Sequence, residues 1–494
     1  MKDLLLSIDQ GTTGTTVLAM DTNGRTLARH TEEFAQHFPQ AGWVEHDADE
    51  IWTSLEKSLG RVLEAGIDSA RIAAIGITNQ RETTLLWDRK TGEQVHRAIV
   101  WQDRRTAPLC ERLKKEGQEP LVRARSGLVL DPYFSGTKLA WMLENVAGAR
   151  ARAKAGELAF GTIDSYLVHR LSAGARHATD VTNASRTLLM GLASLAWDDD
   201  LLAMLDVPRA VLPEIVPSAG PIATTKGVRG LPDGVPITGI AGDQQSALFG
   251  QACFDVGDSK CTYGTGAFAL TNIGAKPKAS TKGLLTTVAW QTPAGVAYAL
   301  EGSAFIAGAA VQWLRDGLGI IQTAAEIEAL AKTVESSDGV VFVPALAGLG
   351  APHWDPHARG IVSGITRGTT KAHLARAVLE GVAFEVADLL QAMRADLGTP
   401  LTKMRVDGGA AANDLLMQFQ ADVASVRIER PAELESTARG AAMLAGVGVG
   451  LFASQEEARA MSAAERTFEP TMPGEERDAH LARWAHAVRL ATTH

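Results

Sequence analysis

Two strand–turn–strand segments, about half the chain apart, place the strongest constraint on the fold. The first, "LLLSIDQGTTGTTVLAMDTNG", covers residues 4–24, and the second, "SKCTYGTGAFALTNIG", covers residues 259–274. In each, apolar runs flank a turn with more threonine and glycine than a tight hairpin turn requires. The repeat predicts two related halves that meet near residue 250. Because Thr-Gly turns are common, a chance likeness is the alternative.

Strand-like and helix-like stretches alternate along the whole chain, which predicts an α/β fold. Residues 71–78 form an apolar run of strand length. Residues 47–66 have the periodicity of an amphipathic helix, with Asp47 placed to cap its N-terminus. The chain of 494 residues is long enough for more than one domain. We therefore predict two α/β domains, at residues 1–248 and 249–494.

The composition restricts the partners. A net charge of −9 argues against nucleic acid or an anionic membrane surface, because both attract basic proteins. The chain has neither an apolar run of the roughly 20 residues that a membrane helix needs nor the apolar core of a signal peptide. Cys110, Cys253 and Cys261 lack metal-ligand spacing and are expected to be buried free thiols. We expect a cytoplasmic protein without membrane insertion.

The turn of the first segment has suitable donors for phosphate. The backbone N–H groups of residues 11–14 can form a concave anion site. The hydroxyls of Thr12, Thr13 and Thr15 add further donors. Asp9 alone would repel phosphate, but Mg²⁺ between the two makes the contact attractive. The segment predicts a site for a magnesium nucleotide, and the alternative is an ordinary surface hairpin.

Arg81 and Glu82 lie in "GITNQRETTLLW" (residues 76–87), directly after an apolar strand. Neighbouring strand residues point to opposite faces, so this pair can act together only where the chain leaves strand geometry. A donor-only arginine beside an acceptor-only glutamate suits a small polyol, whose hydroxyls donate and accept. A structural ion pair, or two solvated side chains, is the alternative.

Asp243 lies in "GIAGDQQSALFGQ" (residues 239–251), between an apolar strand and a helix. One interpretation is a helix N-cap. The other is a general base, because phosphoryl transfer to an alcohol needs a carboxylate to accept the hydroxyl proton. Ligands bind at the carboxyl ends of strands in open α/β sheets, which suits the second role, and the two roles are compatible. Gln244 adds a donor and an acceptor beside it.

A Gly-Gly turn follows another apolar strand in "VDGGAAANDLLMQFQAD" (residues 406–422). Gly408 and Gly409 allow a flat base or sugar to approach the backbone closely. A Gly-Gly turn is also common in ordinary loops, so this segment supports a nucleotide site only together with the others.

Together these segments resemble the glycerol kinases of the FGGY carbohydrate kinase family. The likeness covers nearly the whole chain and rests on "DQGTTGTTV", "GITNQRETT", "FSGTKLAWMLEN", "FGTIDSYLVHRL", "TDVTNASRTLL", "GIAGDQQSALFGQ", "YGTGAF", "GLGAPHWDPHARG" and "DGGAAANDLLMQFQAD". The resemblance implies two actin-like (ribonuclease H-like) ATPase domains around a central cleft. It also implies ATP-dependent phosphorylation of glycerol to sn-glycerol 3-phosphate in glycerol catabolism, and a homodimer or homotetramer.

The resemblance also implies the residues of the site. The implied polyol set consists of Arg81, Glu82, Tyr133, Asp243 and Gln244. Trp101 and Phe268 would form apolar walls against the carbon atoms of the polyol. The implied general base is Asp243, and the implied Mg²⁺ ligands are Asp9 and Asp243. The nucleotide, ATP or ADP, would be bound by Thr12, Thr13, Gly14, Thr265, Gly308, Gln312, Gly409 and Asn413. The first domain would carry the glycerol site, the first turn and the catalytic aspartate, and the second the other turn and the adenosine site.

The chain departs from the family pattern in three places. The family commonly has serine-serine-arginine where Gly14, Thr15 and Thr16 stand, so a phosphate-facing cation is missing here. His353 replaces a common tyrosine. The stretch "TKGVRGLPDGVPI" has Pro, Asp and Gly where some members have an arginine that binds fructose 1,6-bisphosphate, so inhibition by that sugar phosphate is not expected.

Two other functions remain as alternatives. The chain could be a kinase for another polyol or sugar, such as xylulose or gluconate. Pentulose kinases usually carry Gln-Met-His at the position of "NQRETT" and Asp-Asn-Ala near "DQQ", and this chain has neither. Actin-like filament proteins and chaperones bind ATP without phosphorylating a metabolite. The polyol set around Arg81 argues against that class, because a filament has no use for a polyol pocket.

Overall fold

The computed structural model describes residues 2–355, 357–432 and 435–492. In the N-terminal half the strands are β1 (Leu4–Gln10), β2 (Gly14–Asp21), β3 (Thr26–Glu33), β4 (Glu45–His46), β5 (Ile72–Asn79), β6 (Thr84–Asp88), β7 (Gln94–Ile99), β8 (Leu158–Gly161), β9 (Ala178–Asp180), β10 (Met190–Gly191), β11 (Ala196–Trp197), β12 (Glu214–Val216), β13 (Ala219–Thr224) and β14 (Pro236–Gly242). The helices are α1 (Ala48–Glu64), α2 (Ala107–Lys115), α3 (Glu119–Ser126), α4 (Ser135–Asn145), α5 (Ala149–Lys154), α6 (Ile163–Leu171), α7 (Val181–Ala184), α8 (Asp199–Met204) and α9 (Asp243–Gly250).

The C-terminal half follows without a break. Its strands are β15 (Ser259–Tyr263), β16 (Ala267–Gly274), β17 (Leu285–Thr292), β18 (Gly295–Ala304), β19 (Val341–Val343), β20 (Ile361–Ser363), β21 (Lys403–Asp407), β22 (Arg427–Pro431) and β23 (Ala464–Phe468). Its helices are α10 (Gly308–Gln312), α11 (Glu326–Ala331), α12 (Lys371–Leu397), α13 (Asp414–Ala424), α14 (Ser436–Val449), α15 (Gln455–Ala458) and α16 (Gly474–Thr492).

The main sheets of the two halves share one strand order. In the first sheet, β3, β2 and β1 are antiparallel, β5 and β14 continue parallel to β1, and β13 closes the edge antiparallel to β14. In the second sheet, β18, β16 and β15 are antiparallel, β21 and β22 continue parallel to β15, and β23 closes the edge antiparallel. Among the strands of the described residues, β17, outside β18, is the one without a counterpart in the first sheet. The shared order confirms the two related halves predicted from the repeated segments.

Helix α14 joins the halves, because it belongs to the second in sequence but packs on the first sheet and on α9. The approach is close: a Cβ on Gly76 of β5 would lie 2.1 Å from the carbonyl oxygen of Ala441. Buried apolar side chains from both halves, among them Leu5, Trp290 and Leu444, form one cluster here. The division into residues 1–248 and 249–494 stays a prediction, and α9 extends across it.

Several local predictions are confirmed. Asp47 caps α1, its side chain accepting from the Asp49 N–H at 3.0 Å. The three cysteines are buried and free. In the described parts of the chain, no helix combines the length and apolar character needed to cross a bilayer.

Candidate active site

The chain leaves strand geometry directly after β5, as predicted for Arg81 and Glu82. The Thr83 N–H donates to the Arg81 carbonyl at 2.7 Å, and Glu82 has a φ of 59°, which non-glycine residues rarely adopt. Both side chains are almost fully buried. The turn therefore brings the guanidinium and the carboxylate into one site, with Arg81 Nε 3.8 Å from Glu82 Oε1.

Every N–H group of the Arg81 guanidinium has an acceptor within reach. Nη1 donates to Glu301 Oε2 at 2.7 Å and to Gln245 Oε1 at 3.2 Å. Nη2 donates to Glu301 Oε1 at 2.9 Å and to the Tyr133 hydroxyl at 3.2 Å. Nε lies 3.2 Å from Asp243 Oδ1. These contacts fix the arginine before any ligand binds, and they place Tyr133 and Asp243 beside it.

Glu301 and Arg186 complete the buried charges. Arg186 Nε donates to Glu82 Oε1 at 2.6 Å, and Nη2 donates to Glu301 Oε1 at 3.0 Å. Burial raises the pKa of Glu301, but Arg186 and Arg81 lower it further, to about 2. Glu301 belongs to β18, so the second sheet supplies the counter-charge for two arginines of the first half. Glu301 is not among the residues predicted for the site, and the signal that could have indicated it is a lone acid in the apolar strand "YALEGSA".

Aromatic rings lie beside this cluster. The Trp101 and Tyr133 rings are 5.8 Å apart, edge to face. The Trp101 indole N–H also donates to Thr12 Oγ1 at 3.0 Å, which links the wall to the first turn (residues 11–14). Phe268 of β16 shares a sheet face with Glu301, because Leu270, two residues along, is the register partner of Glu301. The two predicted apolar walls thus each lie beside a partner of Arg81, Trp101 next to Tyr133 and Phe268 on the sheet face of Glu301.

Asp243 is not the N-cap of α9, so that interpretation is wrong. The cap is Gly242, and Asp243 is the first helical residue. Its Oδ1 accepts from the Gln244 N–H at 2.7 Å and faces Arg81, which leaves no capping bond to the following turn. The side chain is 33% exposed. The carboxylate is therefore available to a ligand, while Gln244 is buried beside it and accepts from Lys260.

Asp9, at the end of β1, lies near Asp243. Burial and the Asp243 carboxylate raise the pKa of Asp9 to about 8, with a smaller contribution from Glu435. Arg29 opposes the shift, but it is itself paired with Glu435 at 2.7 Å. Although Asp243 contacts Arg81, the raised pKa of Asp9 shows that its own charge is poorly balanced. A pair of acids of this kind fits a divalent cation, for which carboxylate oxygens are preferred ligands.

The tip of the first turn is accessible to solvent, but the Thr15 hydroxyl, one of the predicted phosphate donors, does not lie there. The Gly11 N–H donates to the Gly14 carbonyl at 2.9 Å, where β2 begins, and closes the turn. Thr12 is partly exposed and Thr13 is exposed. The expectation for Thr15 is wrong, because strand alternation turns its hydroxyl inward, onto Ser54 Oγ at 2.7 Å.

The second turn (residues 264–266) is held by the start of α10. The N–H groups of Ala307 and Ala309 donate to the Thr265 carbonyl at 2.8 and 3.1 Å. The Gly308 N–H donates to the Gly264 carbonyl at 2.9 Å. This bonding places Gly308 against the turn. The side chains of Thr265 and of Gln312, at the end of α10, are exposed.

The Gly-Gly turn after β21 packs beside the second turn. Gly408 has a φ of 84°, and a Cβ there would lie 2.5 Å from the Tyr263 carbonyl oxygen. A Cβ on Gly409 would meet no atom within 4 Å, so this residue borders open space. Asn413 caps α13, with Oδ1 accepting from the Leu416 N–H at 2.9 Å. The structure therefore gathers Thr265, Gly308, Gly409 and Asn413 in one region of the second half.

Known proteins resemble the chain over its whole length. The model of the FGGY family of carbohydrate kinases matches residues 4–250 with its N-terminal domain and residues 259–449 with its C-terminal domain. A glycerol kinase of Myxococcus xanthus (strain DK1622) is 59% identical over 99% of both chains. The crystal structure of Plasmodium falciparum glycerol kinase with ADP has a TM-score of 0.94 at 35% identity, covering 99% of this chain and 98% of that one.

Another solved structure supports the fold alone. Xylulose kinase from Lactobacillus acidophilus has a TM-score of 0.88 at 24% identity, covering 99% of this chain and 97% of that one. The two sheets of the present structure are those of this two-domain, actin-like ATPase fold. Since both domain models match and a relative of 59% identity spans the whole length, the chain belongs to the FGGY family of carbohydrate kinases.

Proposed function

We infer that the protein transfers the γ-phosphoryl group of ATP to glycerol, giving sn-glycerol 3-phosphate and ADP. The observation that carries this conclusion is the position of Asp243. Its carboxylate contacts Arg81 of the polyol set and lies close enough to Asp9, beside the first turn, to raise the pKa of Asp9. In the proposed complex, this one side chain would lie between the alcohol and the phosphate. The relatives of 53–59% identity that are named glycerol kinases support the choice of polyol.

A three-carbon polyol fits the chemistry of the pocket. Its hydroxyls both donate and accept, and the pocket offers a carboxylate in Glu82, a phenol in Tyr133 and an amide in Gln244. Its carbon atoms have apolar partners in the rings of Trp101 and Phe268. Because Arg81 and Glu82 are buried, a ligand that leaves either one without a partner loses affinity.

Asp243 is the group that we assign to the proton transfer. A general base must lie within hydrogen-bond reach of the proton that it accepts. The partly exposed carboxylate beside Arg81 meets that requirement for a hydroxyl bound in the pocket. Closure of the two halves would exclude water, which limits the transfer of the phosphoryl group to water instead of glycerol.

The two turns are the proposed phosphate site. Thr12, Thr13 and Gly14 would approach it from the first half, and Thr265 from the second. Asp9 and Asp243 would hold Mg²⁺, which neutralises phosphate charge when bound. The described residues contain no cluster of three or more His, Cys, Asp or Glu side chains suited to a metal, so we expect nucleotide oxygens to complete the coordination.

The other nucleotide residues line the second half. We propose that the adenosine lies against Gly308, Gln312, Gly409 and Asn413, since Gly409 borders open space beside the second turn. In this arrangement residues 1–248 bind glycerol and carry the base, and residues 249–494 bind the adenosine. The cleft between them is where the two substrates meet.

The test is a comparison of substrates with the purified protein. Product formation is followed with a dehydrogenase that is specific for sn-glycerol 3-phosphate, and ADP release is followed separately. We expect ADP release to depend on glycerol and to exceed that with xylulose or gluconate. Equal rates with a sugar, or ATP turnover that needs no polyol, would contradict the proposed function.

A further inference from the structure

Lys260 is a fully buried lysine that the proposed reaction does not use. It lies on β15, and none of its surface is exposed. Its ammonium donates to Gln244 Oε1 and, at 2.9 Å, to Thr262 Oγ1. Lysine is almost never fully buried unless its charge has partners. These contacts connect the strand that leads into the second turn with the polyol set of the first half.

The contact with Lys260 determines the orientation of the Gln244 amide. An ammonium group has donors and no acceptor, so the amide atom that faces it must be the oxygen. The amide nitrogen Nε2 is then on the opposite side. No group in the described part of the chain accepts from Nε2, although the backbone N–H of Gln244 is bonded to Asp243. Gln244 therefore presents two free N–H donors.

The surroundings of Lys260 act on its charge in both directions, and the net effect is a lowered pKa. Burial lowers the pKa of Lys260, and the carboxylates of Asp407 and Asp243 oppose that shift. Asp407 is also buried. The two hydrogen bonds and the two nearby carboxylates together are the partners of the buried ammonium.

We propose that Lys260 is a positioning residue, which holds Gln244 so that Nε2 donates a hydrogen bond to a hydroxyl oxygen of the polyol. The inference rests on the proposed function, because it concerns the same polyol pocket. In this arrangement the carboxylates of Glu82 and Asp243 accept from hydroxyls, and Gln244 only donates. A free glutamine could turn its amide over and serve either role, so the lysine makes the pocket selective for one hydroxyl orientation.

The first test compares Lys260→Met with Lys260→Gln. Methionine has no donor, and we expect the KM for glycerol to rise roughly 5- to 100-fold while the KM for ATP changes less than about threefold. Glutamine can still donate to Gln244 Oε1, and we expect it to restore the glycerol KM to within about fivefold of the wild type. An unchanged glycerol KM in Lys260→Met, or equal effects of the two variants, would overturn the proposal.

A second variant keeps the proposal testable if Lys260→Met does not fold. Gln244→Glu preserves the shape and the bond to Lys260 but removes both N–H donors. We expect its glycerol KM to rise at least about tenfold, because the hydroxyl then meets only acceptors. A normal or lower KM would mean that Gln244 turns its oxygen to the polyol. A wild-type protein without glycerol-dependent turnover would refute the proposed function itself, whereas active wild type with unaffected variants would refute only this inference.

Discussion

The first and second turns occupy equivalent places in the two sheets but have different chemistry. Counting back from the first glycine of each turn, Asp9 of β1 corresponds to Thr262 of β15. Asp9 is an acid whose pKa is raised to about 8, whereas Thr262 accepts from a buried lysine. The duplicated backbone thus offers two similar turns, which we propose bind phosphate, and the difference at this one position suits the first turn, and not the second, to a metal.

The turns are also held in different ways. Side chains contribute to holding the first, in addition to the backbone bond from the Phe34 N–H to the Thr13 carbonyl at 3.3 Å. Gln36 Nε2 donates to the Thr12 carbonyl at 3.0 Å, and Gln80 Nε2 donates to the Gly11 carbonyl at 3.1 Å. Backbone N–H groups at the start of α10 hold the second. Substitutions of side chains around the first turn can therefore change its position, whereas the second depends on where the backbone can pass.

The largest effect is expected for Asp243→Asn, which removes the acid that faces Asp9. An amide keeps the shape but cannot accept the hydroxyl proton, and loss of a general base typically reduces kcat by roughly 10²–10⁴-fold. Steady-state rates measure this, and ADP affinity, measured by calorimetry, should remain within a few-fold of the wild type. Near-normal turnover would show that Asp243 is not the base.

Asp9→Asn and Thr262→Val test whether only the first turn uses a metal. We expect Asp9→Asn to raise the Mg²⁺ concentration needed for half-maximal rate by at least about tenfold. Loss of a residue that only hydrogen-bonds to a metal ligand already lowers metal affinity by about that factor. Thr262→Val, the matched change in the second sheet, should leave the Mg²⁺ requirement as it is. Equal shifts in both variants would mean that the two turns share the cation.

Gly408→Ala and Gly409→Ala test how the backbone shapes the second turn. Alanine at 408 meets the Tyr263 carbonyl at 2.5 Å with a φ of 84°, so we expect a loss of roughly 1–3 kcal/mol in stability. Alanine at 409 has room, so the melting temperature of the Gly409→Ala variant should stay near that of the wild type. The KM of this variant for ATP should rise, because the added methyl group would meet the nucleotide. If Gly409→Ala bound ATP normally, the nucleotide would not lie against that residue.

The smallest effect is expected for Thr16→Arg in the first sheet. Thr16 is the register partner of Asp9 on β2, so an arginine there restores a cation beside the first turn. A partly exposed charge contact contributes about 0.2–1 kcal/mol, and we expect ATP to bind slightly more tightly at low salt and less so at high salt. Thr31→Arg, one strand farther out, is the control. No difference from that control would mean that position 16 does not face the nucleotide.

The sequence predicted the backbone well and the buried charges poorly. The strands, the duplication and the exit from strand geometry at Arg81 follow from local periodicity and turn composition, which neighbouring residues largely determine. The partners of Arg81 do not, because Glu301 lies 220 residues away and only the fold brings them together. The direction of the Thr15 hydroxyl could not be predicted for a similar reason. It points inward because α1 covers that face of the sheet, and the sequence does not show which face a distant helix covers.

The position of Glu301 also has a consequence for protein synthesis. It balances Arg81 and Arg186, which precede it by 220 and 115 residues, so a ribosome completes both arginines long before their shared acid. A nascent first half offers them Glu82 and the partly exposed Asp243, but it lacks the buried acid that accepts from both guanidinium groups. A buried guanidinium without such a partner is strongly unfavourable. We therefore expect the side chains around Arg81 to reach their final arrangement only after β18 has been synthesised, and a truncated first half to bind glycerol poorly.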